Sequence, residues 1–301
     1  MGKTGYFDIC GVLPPLIPPF TESGDVDFEA FGRNVERLNE TGLRGYLVLG
    51  SNGETPYIGE RDKIELVRLC AKKAAPGRII MAGTGLESTA ATVELTRRAA
   101  DAGAQCALVL TPSYYGGQMG DDAQIAYFTA VADQSPIPVL IYNVTKFTHV
   151  NISAAAVSRL SRHPNIIGMK DSSGNIAGLI GYMAAGLDPQ FNLLVGTASA
   201  WYPALCIGIR GAVMALANCC PNECVQVQKL YDAGQRDDAL ALYKRVFPVN
   251  ACVTNALGVP ALKYACDRLG FEGGFTRSPL LPLSKAQYAQ VDAVLQKAGL
   301  L

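Results

Sequence analysis

Eight short apolar runs, each followed by a stretch of helical periodicity, limit the folds open to this chain more than any other feature. The runs are residues 11–17 (GVLPPLI), 45–49 (GYLVL), 79–82, 106–110 (CALVL), 138–142 (PVLIY), 165–169 (NIIGM), 192–195 (NLLV) and 211–215 (GAVMA). Between them Asp27–Glu40, Glu60–Ala74, Ser88–Ala102 and Asp121–Gln134 carry apolar residues at three- and four-residue spacing, and Ser88 and Ser153 stand where N-caps are wanted. Continuously apolar strands that alternate with helices are buried on both faces, which is the pattern of a parallel sheet. A count of eight within about 230 residues predicts a closed (β/α)8 TIM barrel rather than an open doubly wound sheet. No G-x-G-x-x-G follows the first run, which removes the usual dinucleotide-binding signature. After Ala217 only helical patterns remain, at 222–233, 236–247, 259–269 and 284–298. The expected organisation is a barrel over residues 1–221 and a C-terminal helical extension over 222–301, with no Ser/Gly-rich linker between them.

The chain has 301 residues, 49% hydrophobic, with 26 basic and 26 acidic side chains. Zero formal charge excludes a partner that needs a positive field, such as nucleic acid or an anionic membrane surface, and points to a small molecule. Nine cysteines are scattered singly apart from Cys219-Cys220, without a C-x-x-C, and there are only two histidines, His149 and His163. That spacing offers no Cys/His zinc site and reads as buried free thiols in a reducing compartment. The start, MGKTGYFDIC, lacks the apolar stretch of a signal peptide, and no window approaches the about 18 apolar residues of a membrane span. The expectation is a soluble, cytoplasmic protein.

A barrel of this kind builds its active site where strands end and βα loops begin. That rule gives weight to NIIGMKDSSG, in which an apolar run ends on Lys170. A lysine there is ordinarily a solvated charge; in a dry barrel mouth it becomes a nucleophile. With a pKa of about 10.4 an amine is almost wholly protonated at neutral pH, and burial is the means by which catalytic lysines are brought down to about 7–8. A neutral amine adds to a ketone, loses water and leaves a protonated imine, an electron sink that lets a neighbouring C–C bond break or form. The step needs a proton shuttle, and Tyr142 closes the adjacent strand. After the second strand, Ser51, Asn52 and Gly53 in GSNGE make a tight turn whose N–H groups, hydroxyl and amide suit a carboxylate. Together these groups suggest a 2-oxo acid. Singly, each has a plainer reading: a βα loop, a packing corner at TPSYY, a buried core tyrosine.

GSNGE, TPSYY, YNV and GMKDSSG, in this order and spacing, resemble the dihydrodipicolinate synthase/N-acetylneuraminate lyase family of class I pyruvate aldolases over nearly the whole chain. The resemblance implies that Lys170 forms a Schiff base and Tyr142 relays protons. It implies that Ser51 and Asn52 match the hydroxyl pair that binds the pyruvate carboxylate, the second being an amide here. Tyr114 matches a tyrosine that members contribute to a neighbour's proton relay, and Gly196 and Val213 match residues lining the pyruvate end of the pocket. Homotetramers, often dimers of dimers, and the absence of metal or organic cofactor are further implications.

Departures from the synthase pattern bear on the second substrate. Synthases usually carry YNVP-x-R-T, whose arginine holds the carboxylate of aspartate semialdehyde; here the segment is YNVTKFT, with Thr145 for proline and Phe147 at the arginine position. Lys170 is followed by Asp171-Ser172-Ser173, where synthases have an acidic and then a small residue. The runs AGTGLESTAATVELT and HPNIIGMKDSSG are most similar to the 4-hydroxy-2-oxoglutarate aldolase branch, which releases pyruvate and glyoxylate, with 2-keto-3-deoxy sugar acids as related substrates. Lys146, His149, Ser172 and Ser173 are candidates for the aldehyde half. The expected function is a class I lyase cleaving such a 4-hydroxy-2-oxo acid. A dihydrodipicolinate synthase and a non-catalytic 2-oxo acid binder remain as alternatives. A phosphate-binding barrel lacks a Gly-rich anion loop after its last two strands.

Overall fold

The computed structural model describes residues 8–301; residues 1–7, which hold most of the start read above as lacking a leader, lie outside the described residues. Eight strands form one parallel sheet in the order β1-β8-β7-β6-β5-β4-β3-β2, a (β/α)8 barrel. They are β1 (Gly11–Leu13), β2 (Gly45–Val48), β3 (Ile79–Gly83), β4 (Cys106–Leu110), β5 (Val139–Asn143), β6 (Ile166–Asp171), β7 (Asn192–Val195) and β8 (Gly211–Val213). Each falls on one of the eight apolar runs. The helices are α1 (Phe28–Asn39), α2 (Glu60–Lys73), α3 (Thr89–Asp101), α4 (Asp121–Gln134), α5 (Thr145–Thr148), α6 (Ala154–Ser161), α7 (Ile176–Ala184) and α8 (Trp201–Cys206). The C-terminal segment adds α9 (Pro221–Asp232), α10 (Arg236–Val249), α11 (Val259–Arg268) and α12 (Lys285–Lys297).

Two compact units can be distinguished, one comprising Ile80–Val213 with residues up to Cys10, the other Gly11–Ile79 and Met214–Leu301. In the first, β3 to β8 carry a core of Leu108, Leu140, Ile141 and Ile166, with Val93, Phe128, Val131 and Val157 of the covering helices. Ser88 and Ser153 cap α3 and α6 by accepting from Ala91 N at 3.2 Å and Ala156 N at 3.1 Å, as their positions predict. In the second, β1 meets β2 through Arg44 N to Val12 O at 2.9 Å and Leu16 N to Leu47 O at 2.8 Å. There Phe31, Val35 and Leu38 of α1, Leu66 and Val67 of α2, and Leu262, Val291 and Leu295 of the C-terminal helices are buried. The helix predicted over 236–247 runs on to Val249 and then into a π-helical stretch, Asn250–Ala256. Pro248 inside α10 has no N–H to give, and the wider turn follows directly after it. No disulfide joins the nine cysteines, all of which lie among the described residues; six are buried, two half-buried, and Cys206 is exposed. Among the described residues no helix is long and apolar enough to cross a membrane.

Gly168 shows how tightly β6 sits against β7. A Cβ there would lie 2.5 Å from Asn192 O and 2.9 Å from Asn192 Cβ, and the first of these is backbone that cannot step aside. Gly168→Ala is therefore expected to cost about 1–3 kcal/mol by overpacking. Thermal or denaturant unfolding reads this directly, and an unchanged midpoint would mean that the strands can separate without penalty.

Candidate active site

Lys170 and Tyr142 stand opposite each other in the β5–β6 ladder, where Tyr142 pairs with Lys170 and Asn143 with Asp171. The strand that begins as IIGM continues through Lys170 to Asp171 instead of stopping before the lysine. Both side chains are withdrawn from water, Lys170 at 3% exposure and Tyr142 at 6%. The ammonium lies 4.2 Å from the centre of the Tyr142 ring. Among the described residues no carboxylate is paired with it, an unusual condition for a buried lysine.

Gly196, at the end of β7, donates its N–H to Asp171 O at 2.7 Å. A Cβ at this position would overlap the Ser172 hydroxyl and come within 2.9 Å of Lys170 Cε. Only glycine leaves the lysine and the serine the room they occupy. The Ser172 Oγ is itself buried without a hydrogen-bond partner. Val213 closes β8 and is fully buried. Lys170, Tyr142, Gly196 and Ser172 are thus brought together within one unit.

On the opposite face of the same two strands lies a polar network that the sequence reading missed. Asn143 Nδ2 donates to Asp171 Oδ2 at 2.7 Å, to Asn151 Oδ1 at 2.9 Å and more weakly to Tyr182 at 3.4 Å. The Tyr182 hydroxyl donates to Ile152 O at 2.9 Å. Burial, and then the nearby Asp171 carboxylate, push the Tyr182 phenol well above its ordinary value, so it stays a donor. Ser173 is exposed and spends both its N–H and its hydroxyl on Asp171 Oδ1, which removes it from the set facing Lys170. The signal available in the sequence was the adjacency of Asn143 and Asp171 to the two reactive residues on neighbouring parallel strands.

Ser51, Asn52 and Gly53 belong to the other unit and form a single 3-10 turn at the C-terminal end of β2. Gly53 is buried, and a Cβ on it would lie 2.9 Å from Leu16 O. Ser51 and Asn52 are half-buried. Tyr114 does not join Lys170 in this chain: its ring is 79% exposed and packs edge-on against Tyr115 at 5.0 Å. Lys146, Phe147 and His149 are exposed on and just after α5. Phe147 is 59% exposed, with the Lys146 ammonium over its ring at 5.8 Å.

The chain matches the dihydrodipicolinate synthetase family over residues 8–298 and belongs to it, a family of class I pyruvate-dependent aldolases and lyases. It is an enzyme of carbon–carbon bond chemistry. A 4-hydroxy-tetrahydrodipicolinate synthase of Methanothrix thermoacetophila is 34% identical over 291 residues, 95% of this chain and 96% of that protein. One from Acidiphilium cryptum is 32% identical over 291 residues, 97% of this chain and 99% of that protein. Among solved structures, dihydrodipicolinate synthase from Aquifex aeolicus superimposes with a TM-score of 0.89 at 29% identity, covering 97% of this chain and 98% of that one. These names favour the synthase alternative over the 4-hydroxy-2-oxoglutarate aldolase branch, which none of them carries.

The loop bearing Tyr114 is held by Glu87, another group the sequence reading passed over. Its carboxylate accepts from Ser113 N at 2.8 Å, Tyr114 N at 2.9 Å and Ser113 Oγ at 3.0 Å. Burial alone would raise its pKa, but the three donors outweigh it and hold the group below the ordinary 4.5. A depressed folded value means that the stabilisation is present above the unfolded pKa and is lost as pH falls through the folded one. Wild type is thus expected to be more stable than Glu87→Gln above that ordinary value, with the gap closing as the pH drops further. Melting both proteins from about pH 7 to about pH 3 tests this, and a gap independent of pH would rule the charge out.

Proposed function

We propose that the protein is a Schiff-base-forming aldolase in which Lys170 attacks the ketone of pyruvate or of a pyruvate-yielding 2-oxo acid. The observation that carries this is a nearly fully buried lysine that has no carboxylate partner among the described residues and faces a tyrosine one strand away. Its unshared pair is the nucleophile once the proton is shed. The Tyr142 hydroxyl is the group proposed to move protons to and from the carbinolamine and enamine. Ser51, Asn52 and the N–H groups of their turn are proposed to receive the carboxylate, with Gly196 and Val213 lining the methyl end. The exposure of Tyr114 supports an assembly, a homotetramer on the family pattern, in which this ring serves a neighbour's site.

Incubation with pyruvate and borohydride is expected to fix one reduced pyruvate per chain, on Lys170, as located by peptide mass spectrometry. Lys170→Arg should abolish the label, because a guanidinium stays protonated. Labelling of a different lysine would overturn the assignment.

For the second half of the substrate two readings have support. The names of the relatives support condensation of pyruvate with aspartate semialdehyde, and as comparisons they weigh more on that side. One observation of this chain favours cleavage of a 4-hydroxy-2-oxo acid: Phe147 stands where the synthases place the arginine that grips the semialdehyde carboxylate. An aromatic ring donates no such hydrogen bond, and beside an anion it adds desolvation cost. Because this difference bears on the chemistry itself, cleavage is our reading. Pyruvate release from 4-hydroxy-2-oxoglutarate or a 2-keto-3-deoxy sugar acid is expected. Condensation with aspartate semialdehyde should be at least about a hundredfold less efficient, the size of one lost charged hydrogen bond of ~3 kcal/mol. Efficient condensation without cleavage of either acid would make the protein a synthase and leave the role of Lys170 intact.

A further inference from the structure

A second lysine is buried even more completely than Lys170, and the proposed chemistry does not use it. Lys263, on α11, is 1% exposed. Its ammonium lies 2.8 Å from Glu54 Oε1, and the two side chains are 2% and 0% exposed. It also donates to Phe275 O and sits 4.1 Å from the centre of the Phe20 ring. Burial pulls the Lys263 ammonium below its ordinary pKa, and Glu54 is the main group pulling it back. The other carboxylate oxygen of Glu54 accepts from Arg277 N at 2.8 Å. The Arg277 guanidinium in turn reaches Gly24 O at 2.6 Å and Tyr57 O at 2.8 Å, over the same Phe20 ring at 4.4 Å.

Glu54 is the residue that follows Ser51-Asn52-Gly53. It has φ of 54°, a left-handed conformation that a side chain other than glycine's adopts at a cost. A buried carboxylate is a second cost at the same residue. The surrounding hydrogen bonds show what these costs achieve. Glu54 closes the first 3-10 turn with its N–H to Ser51 O at 3.3 Å and opens the next with its carbonyl to Tyr57 N at 2.8 Å. The path of the Ser51–Gly53 backbone therefore depends on where the Glu54 side chain is anchored, and the anchors come from α11 and residues 275–277.

We propose that Glu54 and Lys263 are positioning residues whose buried ion pair holds the Ser51-Asn52-Gly53 turn in the shape that receives the substrate carboxylate. The C-terminal segment then belongs to the pyruvate subsite without touching pyruvate. The proposal rests on the carboxylate role given above to Ser51 and Asn52. Lys263 is given no nucleophilic role: its ammonium is ion-paired with Glu54 at 2.8 Å and donates to Phe275 O.

The test is borohydride trapping of pyruvate on the full chain, scored both for half-saturating pyruvate and for maximal labelling of Lys170. Removing one charge strands the other in the interior, so the main variant is the neutral double substitution Glu54→Gln with Lys263→Met. It is expected to raise half-saturating pyruvate at least about tenfold, while saturating pyruvate still labels Lys170 fully. Should the double variant not fold, Lys263→Arg keeps the charge but displaces Glu54 with a bulkier fork, and is expected to shift half-saturation in the same direction. Unchanged half-saturation in a folded variant whose melting temperature has dropped would overturn the proposal, because the pair would then serve stability alone. In that case a rise in half-saturation for Ser51→Ala would show that the carboxylate role of the turn survives. No label on the wild type would overturn both.

Discussion

The register between β5 and β6 is the constraint on which the lysine–tyrosine pair depends. Val139 pairs with Ile166, but the next pair is Leu140 with Gly168, so β6 contributes one extra residue, Ile167, at this point. Without that irregularity Tyr142 would face Met169, and every later residue of β6 would turn to the opposite side, since a one-residue slip inverts a strand. With it, Tyr142 meets Lys170 and Asn143 meets Asp171. The second pair then locks the first. A hydrogen bond of 2.7 Å joins Asn143 to Asp171 across the strands, and the same amide reaches Asn151. Gly168, just past the irregularity, lets β7 close up against the strand.

The two buried lysines differ in what surrounds them. Lys263 keeps a carboxylate at 2.8 Å, an aromatic face and a carbonyl, an arrangement that offsets part of the cost of burying its charge. Among the described residues Lys170 has the aromatic face of Tyr142 and no carboxylate, although the nearest carboxylate in sequence is the very next residue. Asp171 is unavailable because strand alternation turns it to the other face, where Asn143 and Ser173 engage it. The carboxylate nearest Lys170 in sequence is thus committed elsewhere, whereas Lys263 is held in an ion pair.

Most of the architecture was legible because barrel strands are short, apolar and regularly spaced. All eight runs became strands, and the four C-terminal helices lie within a few residues of their expected limits. What periodicity could not reveal was anything that depends on pairing across the sheet or across long stretches of chain. The extra residue in β6 leaves no mark in NIIGMKD. Glu54 and Lys263 are separated by more than two hundred positions, and GSNGE reads equally well with a solvated glutamate. The π-helical stretch Asn250–Ala256 lies past the helix expected over 236–247, and apolar spacing does not mark a widened turn. Ser173 looked available for substrate until its hydroxyl was found on Asp171. The role proposed for Tyr114 comes from the resemblance, and its exposure is all that the single chain adds.

The groups assigned to the two ends of the proposed substrate are held in different ways. Groups assigned to the pyruvate end sit on strands or on a turn anchored from beneath: Lys170 and Tyr142 by the β5–β6 ladder, Gly196 by Asp171 O, and Gly53 against Leu16 O. A change at any of them disturbs a packed neighbour. Residues 146–149 are different. They occupy the single-turn helix α5 and its end, where His149 adopts a left-handed φ of 53°, and the Lys146, Phe147 and His149 side chains are exposed. Substitution there disturbs little packing, so this short segment can exchange an arginine for a phenylalanine while the packed strands that carry the proposed imine chemistry stay fixed. A relative at about one-third identity therefore informs on the pyruvate end far more than on the aldehyde end. The second substrate has to be read from the few exposed residues that follow β5.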